Sequence, residues 1–192
     1  TSEDPSAVDN GGDLGYFTSL QMVYPFENAA FKTNVGETSM PLRTRFGYHI
    51  LKVADKRPSQ GEILTAHIMV KFAKDMQEKD KANLKTKIDE IYTKLKAGEK
   101  FEDLARQFSD DKPSAEKGGQ LQWFGSSRMP IEFEKAAFAL KANGDYSEPF
   151  TTNYGWHIVK RLDKKGLTPF DEIKCDLKQR IGKDSRTQAG RT

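Results

Sequence analysis

Gly118-Gly119-Gln120-Leu121-Gln122-Trp123-Phe124, running on to Met129, Phe133, Ala136, Ala137 and Phe138, decides how this chain is read. The chain contains the pattern twice. Gly11-Gly12-Asp13-Leu14-Gly15-Tyr16-Phe17 runs on to Met22, Phe26, Ala29, Ala30 and Phe31 at the same spacing, and 11 of the 21 aligned positions are identical without a gap. A second block repeats at an offset one residue longer, where Gly47-Tyr48-His49-Ile50 answers Gly155-Trp156-His157-Ile158. The first offset, 118 − 11 = 107 residues, is the size of a domain. The pattern is therefore a tandem pair and not a solenoid of short repeats.

Composition narrows the field. The chain has 192 residues, 36% of them hydrophobic and 31% charged, which suits small domains with much surface for their volume. A net charge of +3, with basic and acidic residues interspersed, gives no footprint for nucleic acid. No apolar run approaches the roughly 18 residues needed to span a bilayer. A single cysteine, Cys175, has no intrachain partner for a disulfide and no companions for a metal site. The chain opens Thr1-Ser2-Glu3-Asp4 without an initiator Met or a signal peptide, as expected of a fragment or a processed piece.

Along the chain, Asp9-Asn10-Gly11-Gly12 signals a turn. Pro25, then Phe26, Ala29 and Ala30, predict a helix with one buried face, ending at Asn34 and Gly36. Leu42 to Val53 reads as two strands broken at Arg45-Phe46-Gly47, and Asp55 to Gly61 as a linker. Ile63 to Val70 reads as a strand with His67 inside it. Leu84, Ile88, Ile91 and Leu95 predict a helix over 79–97, closed by Gly98. Phe101, Leu104, Ala105 and Phe108 give a second, shorter one, followed by a loop over 109–114. Phe133, Ala136, Ala137 and Leu140 mark a further helix. Tyr146 to Phe150 and Gly155 to Leu162 read as the last two strands. Thr168-Pro169-Phe170-Asp171 predicts a capped helix start, with the stripe Phe170, Ile173, Leu177, Ile181 ending at Gly182 and a disordered tail over the last ten residues. The expected organisation is a first unit over 1–57 that repeats only the back half of the second, a complete second unit over 62–163, and a C-terminal helix and tail over 168–192.

The set Ala66-His67-Ile68-Met69-Val70, Phe101-x-x-Leu104-Ala105-x-x-Phe108-Ser109-Asp110-Asp111, Gly118-Gly119-x-Leu121-x-Trp123-Phe124, Phe133-x-x-Ala136-Ala137-Phe138 and Gly155-Trp156-His157-Ile158 resembles a parvulin-type peptidyl-prolyl cis-trans isomerase domain. The likeness covers nearly all of 62–163. The tandem arrangement followed by a Thr-Pro-Phe helix is similar to the multi-domain parvulin chaperones of the bacterial periplasm. The resemblance implies an α+β fold, a four-stranded antiparallel sheet wrapped by helices, with its first strand paired to its last. It implies a periplasmic location, no cofactor and no metal. The partners it implies are unfolded or proline-containing polypeptides.

The resemblance also assigns a site. Leu121, Met129 and Phe133 would hold the proline ring, with Tyr154 as a roof. His67 and His157 would share a hydrogen-bond network beneath it on neighbouring strands, shaping the site without acting as acid or base. Asp111 takes a position held by Cys in some members and would act electrostatically. Spacing alone leaves other readings open: Phe133 as ordinary core in a helical stripe, Asp111 as an exposed loop acid, and the histidines as satisfied core residues. Gln120 and Gln122 depart from the Gly-Gly-Asp-Leu-Gly pattern that Gly11 to Gly15 keeps. Lys71 and Lys74 read as a solvated charge run and not as a phosphate-reading cluster. Two functions follow: an isomerase of X–Pro bonds that assists folding, or a non-catalytic peptide-binding chaperone module that keeps the pocket. The first unit, lacking the strand and helices that would cover Phe26, Ala30, Phe31 and Ile50, is expected to be completed by residues before Thr1. In the chain as given it is expected to fray, pack on the second unit, or borrow a strand from a second molecule through its unpaired strand edge.

Overall fold

The structure is a computed structural model that describes residues 2–4, 7, 11–73 and 76–184. The chain divides into two compact bodies. One is Gln60–Gly166; the other joins the residues up to Ser59 with those from Leu167 onward.

In the first body, α1 (Tyr24–Lys32) carries Pro25 in its first turn, where a missing N–H leaves no helical bond unmade. A hairpin follows, β1 (Leu42–Thr44) and β2 (Gly47–His49), antiparallel with Leu42 opposite His49. The hairpin continues as an irregular ladder, with Thr38 bridged to Lys52. Among the described residues of this body no apolar side chain is fully buried. Phe31, Tyr48 and Ile50 are 49%, 78% and 66% exposed. Two short strands and one helix have too little facing surface to close a core.

The second body is built on β3 (Glu62–Lys71). Its side chains alternate between two apolar clusters, which is why the strand reads as a nearly continuous apolar run. Ala66, Ile68 and Val70 enter one cluster with Ile88, Ile91 and Leu95 of α2 (Glu78–Lys96) and with Phe101, Leu104 and Ala105 of α3 (Phe101–Phe108). Gly98 ends α2 at φ +93°, its N–H donating to the Leu95 carbonyl, as the sequence predicted. A short α4 (Lys112–Ala115) takes up the second half of the 109–114 stretch expected to be loop and runs one residue past it. Ile63 enters the other cluster with Phe124 and Val159 and with Phe133 and Ala137 of α5 (Ile131–Ala139). β4 (Phe150–Thr152) and β5 (Gly155–Lys165) complete the sheet, in the antiparallel order β3-β5-β4. First and last strands pair as expected, with His67 opposite Val159 and Met69 opposite His157.

The fourth strand of the expected sheet is not regular. Gly119–Phe124 runs along the outer edge of β3 through isolated bridges, Ala66 with Gln120 and Ile63 with Phe124. The positive φ of Gly118 and Gly119 breaks the ladder there. The strand expected over Tyr146 to Phe150 is interrupted: Tyr146 bridges Lys160 and the Ser147 N–H donates to the Val159 carbonyl, but Pro149 has no N–H to give a ladder and regular strand begins at Phe150. In the C-terminal helix, α6 (Phe170–Lys183), Pro169 is the cap residue and no side chain caps it, so Thr168 does not play the predicted part. The helix also runs one residue past Gly182. The expectation for the tail falls largely on 185–192, and those for Lys74, Asp9 and Asn10 fall on those residues; all lie outside the described residues.

Candidate functional site

The site is set by strand register. With Met69 opposite His157, the neighbouring β3 side chain on the same face, His67, stacks its ring on that of His157 at 5.7 Å and 20°. The Phe133 ring stands edge-on to both, 5.7 Å from His67 and 5.6 Å from His157. Phe150 stacks on the far side of His157 at 5.6 Å. Leu121 and Met129 pack on the Phe133 cluster, partly buried. Phe133 itself is 1% exposed, so it forms the floor of this cluster and is at the same time core.

Each histidine is fixed from its Nε2 end. His67 Nε2–H donates to Asp111 Oδ2 at 2.8 Å and lies 3.1 Å from Ser114 Oγ. Ser114 in turn donates its hydroxyl hydrogen to Asp111 Oδ2 at 2.5 Å. His157 Nε2 lies 2.9 Å from Thr152 Oγ1. That oxygen also accepts the Tyr154 N–H at 3.1 Å. The ionised Asp111 can only accept, so His67 carries its proton on Nε2. The two Nδ1 atoms are buried without a hydrogen-bond partner. The histidines therefore stack and do not bond each other directly; where one shared network was expected, each has its own tether, Asp111 and Ser114 for His67 and Thr152 for His157.

The electrostatics follow from burial. Burial pushes His67 below its ordinary value, with Asp111 opposing, so it is neutral at neutral pH. Burial, reinforced by the nearby His67, pushes His157 down to about 3. Burial would raise Asp111, but hydrogen bonds from Ser114 and His67 outweigh it and leave the carboxyl below its usual range. The result is an ionised acid and two neutral imidazoles under an aromatic ring. Among the described residues no three His, Cys, Asp or Glu side chains gather as a metal site.

The structure brings His67, Asp111, His157, Leu121, Met129 and Phe133 together. Tyr154 stands apart: its side chain is 61% exposed, and only its backbone joins the site, through Thr152 and the Phe72 N–H. Ser114 and Thr152 were missed in the sequence. The duplication marks both, since Pro5-Ser6-Ala7 echoes Pro113-Ser114-Ala115, and Thr44 precedes His49 by the same five positions that separate Thr152 from His157. The first body repeats part of this geometry within itself. Thr44 Oγ1 lies 2.7 Å from His49 Nε2, and Phe26 stands edge-on to His49 at 5.7 Å and 88°. A cavity of about 270 Å³ lined by Leu64, Lys117, Gln120, Leu121, Gln122 and Trp123 shares only Leu121 with the site and is not its opening.

A family description, PPIC-type PPIASE domain, matches residues 67–163, about half the chain, and a second description of the same domain type matches 1–57. The chain belongs to the PPIC-type peptidyl-prolyl isomerase, or parvulin, family. It is 35% identical over 176 residues to Chaperone SurA of Pseudomonas fluorescens strain Pf0-1, covering 88% of this chain and 40% of that protein. The chain thus spans about two fifths of the curated relatives it matches. A crystal structure of a PpiC-type peptidyl-prolyl cis-trans isomerase domain superposes with a TM-score of 0.51 at 25% identity, covering 57% of this chain and 95% of that one. The peptidylprolyl isomerase PrsA of Bacillus anthracis is 39% identical, covering 64% of this chain and 50% of that one, at a TM-score of 0.49. The α+β parvulin fold read from the sequence stands with this membership. Among the described residues no helix is long and apolar enough to cross a membrane.

Proposed function

We propose that this chain catalyses cis-trans isomerisation of X–Pro bonds in unfolded or partly folded polypeptides, through the site in Gln60–Gly166, in the bacterial periplasm. The observation that carries the reading is the closed polar frame around an apolar floor: Asp111, Ser114 and Thr152 tether two neutral histidines under Phe133, beside Leu121 and Met129. Rotation about X–Pro faces a barrier of about 18–20 kcal/mol that comes from amide resonance. A site lowers it by favouring the twisted amide over the planar one. Leu121, Met129 and Phe133 grip the ring, and the dry surround denies the planar carbonyl its water. Asp111 biases the electrostatics of that surround. His67 and His157, neutral and tethered, hold the floor without moving protons. Tyr154, exposed at the rim, is the side chain free to fold over a bound peptide.

The second reading is a peptide-binding module without turnover, favoured by the Gln120 and Gln122 departures and by the full burial of Phe133. Self-association through the open edge of the first body belongs with either. A protease-coupled assay on a short X–Pro peptide with the whole chain decides. Acceleration that His157→Ala largely abolishes and His49→Ala leaves intact supports the isomerase. Peptide binding with no acceleration gives the second reading, and equal loss from His49→Ala removes the second body as the site.

A further inference from the structure

Met129 sits on a loop that has no strand or helix to hold it, and that loop is strained. Ser127 has φ +65°, in the left-handed region that L side chains avoid. The next helix begins after Pro130, a cap residue with no N–H to satisfy and no side-chain cap. An ordinary capping box sends an acidic side chain back to the N–H of the cap residue. Here that donor does not exist, and the carboxylate reaches further. Glu134 Oε1, on the first turn and a half of α5, accepts the N–H of Met129 at 3.1 Å and of Arg128 at 2.8 Å. The first body builds a related device by itself: there the acid bonds the left-handed residue, where Glu134 bonds the two residues after Ser127. Leu20, at the position of Ser127, has φ +69°, and Glu27, at the position of Glu134, accepts the Leu20 N–H at 2.5 Å while only 3% exposed. Two copies that have diverged at 10 of 21 positions keep the left-handed residue's geometry and the acid together.

We infer that Glu134 is a positioning residue: it pins the strained Arg128-Met129 backbone so that the Met129 side chain presents a fixed wall to the proline ring. The inference rests on the proposed isomerase site and adds to it what sets that wall. Because Glu134 touches the loop and not the ring, its effect passes through Met129. In the protease-coupled assay on the whole chain, Glu134→Ala lowers kcat/KM about tenfold, the loss expected for a hydrogen bond to a charged group, with the rise in KM the larger share. Glu134→Gln keeps an acceptor oxygen and recovers most of the loss. A double-mutant cycle is the discriminating step. Glu134→Ala combined with Met129→Ala falls no further than Met129→Ala alone, because the wall it positioned is gone. Additive losses overturn the inference, as does a Gln variant as impaired as the Ala variant. Trp123 and Trp156, the only tryptophans, both lie in the second body, so their fluorescence reports whether each variant is folded. If Glu134→Ala does not fold, the cycle is run with Glu134→Leu, which keeps the bulk of the side chain without an acceptor oxygen, and additivity there has the same meaning. Wild-type protein without turnover overturns the proposed function alone. The same cycle read on peptide binding affinity then tests the pin.

Discussion

Lowering the pH should destabilise the second body from about pH 6.5 downward, before its carboxylates titrate. His157 is 4% exposed, and burial takes it from an ordinary value of 6.5 to about 3. Between those values the unfolded chain binds a proton at this residue and the folded chain does not. Stability therefore rises with pH across the window: the contribution is complete above about 6.5 and is lost progressively as pH falls toward 3. At about 1.4 kcal/mol per pH unit, going from pH 7.5 to 4.5 removes about 2–3 kcal/mol through His157 alone, on the order of 10 °C in Tm for a body this size. His67 is shifted in the same direction and adds to the loss. Asp111 and Glu102, both below their ordinary values of 3.8 and 4.5, stabilise the fold above those values and lose that contribution as pH falls through and below them, so most of the loss down to pH 4.5 belongs to the histidines. Urea unfolding followed by tryptophan fluorescence reads the second body selectively. His157→Asn, which cannot take up the proton, should flatten most of the slope. A wild type equally stable at pH 7.5 and 4.5, or a His157→Asn variant that loses as much as wild type, would refute the reasoning.

Gly119→Ala should be severe, costing about 2–4 kcal/mol: at φ +86° its Cβ would stand 2.4 Å from the His67 carbonyl. Gly144→Ala, at φ +97° with open space around it, should cost only about 1 kcal/mol, and equal costs by urea denaturation would mean the close approach is immaterial. Alkylating the exposed Cys175, which lies on α6 in the first body, should leave peptide turnover unchanged, and inactivation with an intact fold would contradict a non-covalent site. Hydrogen exchange over 47–53 should be fast in a monomer, since β2 has a strand partner on one edge only among the described residues. Strong protection that persists in a monomer by size-exclusion chromatography would count against an open edge.

The duplication explains what was legible. Leu14 and Leu121, Met22 and Met129, Phe26 and Phe133, and His49 and His157 stand out because two copies keep them. Helix α3 was plain because Phe101, Leu104 and Ala105 all bury at one helical spacing. What escaped were residues whose part is to satisfy something else. Ser114 reads as loop because it follows Pro113, yet that proline starts the short helix that turns Ser114 onto Asp111. Thr152 looks like any strand threonine until the register sets it against His157. Glu134 looks like a surface acid on a helix until Pro130 is recognised as a cap residue with no N–H.

The two bodies also show why the same motif gives a core in one place and none in the other. Phe133 is buried because β3, β5 and the 119–124 edge close around it, whereas Phe26 meets the same kind of histidine at the same angle and stays partly open. The Thr–His–Phe geometry is therefore local: a hairpin and one helix suffice to set it. The Asp111–His67 tether is not local, because it needs a strand 44 positions away in sequence. Closing a loop of that length carries an entropic cost that only the buried faces of β3 can offset. A site of this type thus has a half that forms with its hairpin and a half that exists only when the sheet is complete, and the pH dependence argued above comes from His157 of the first half being buried by the completed sheet.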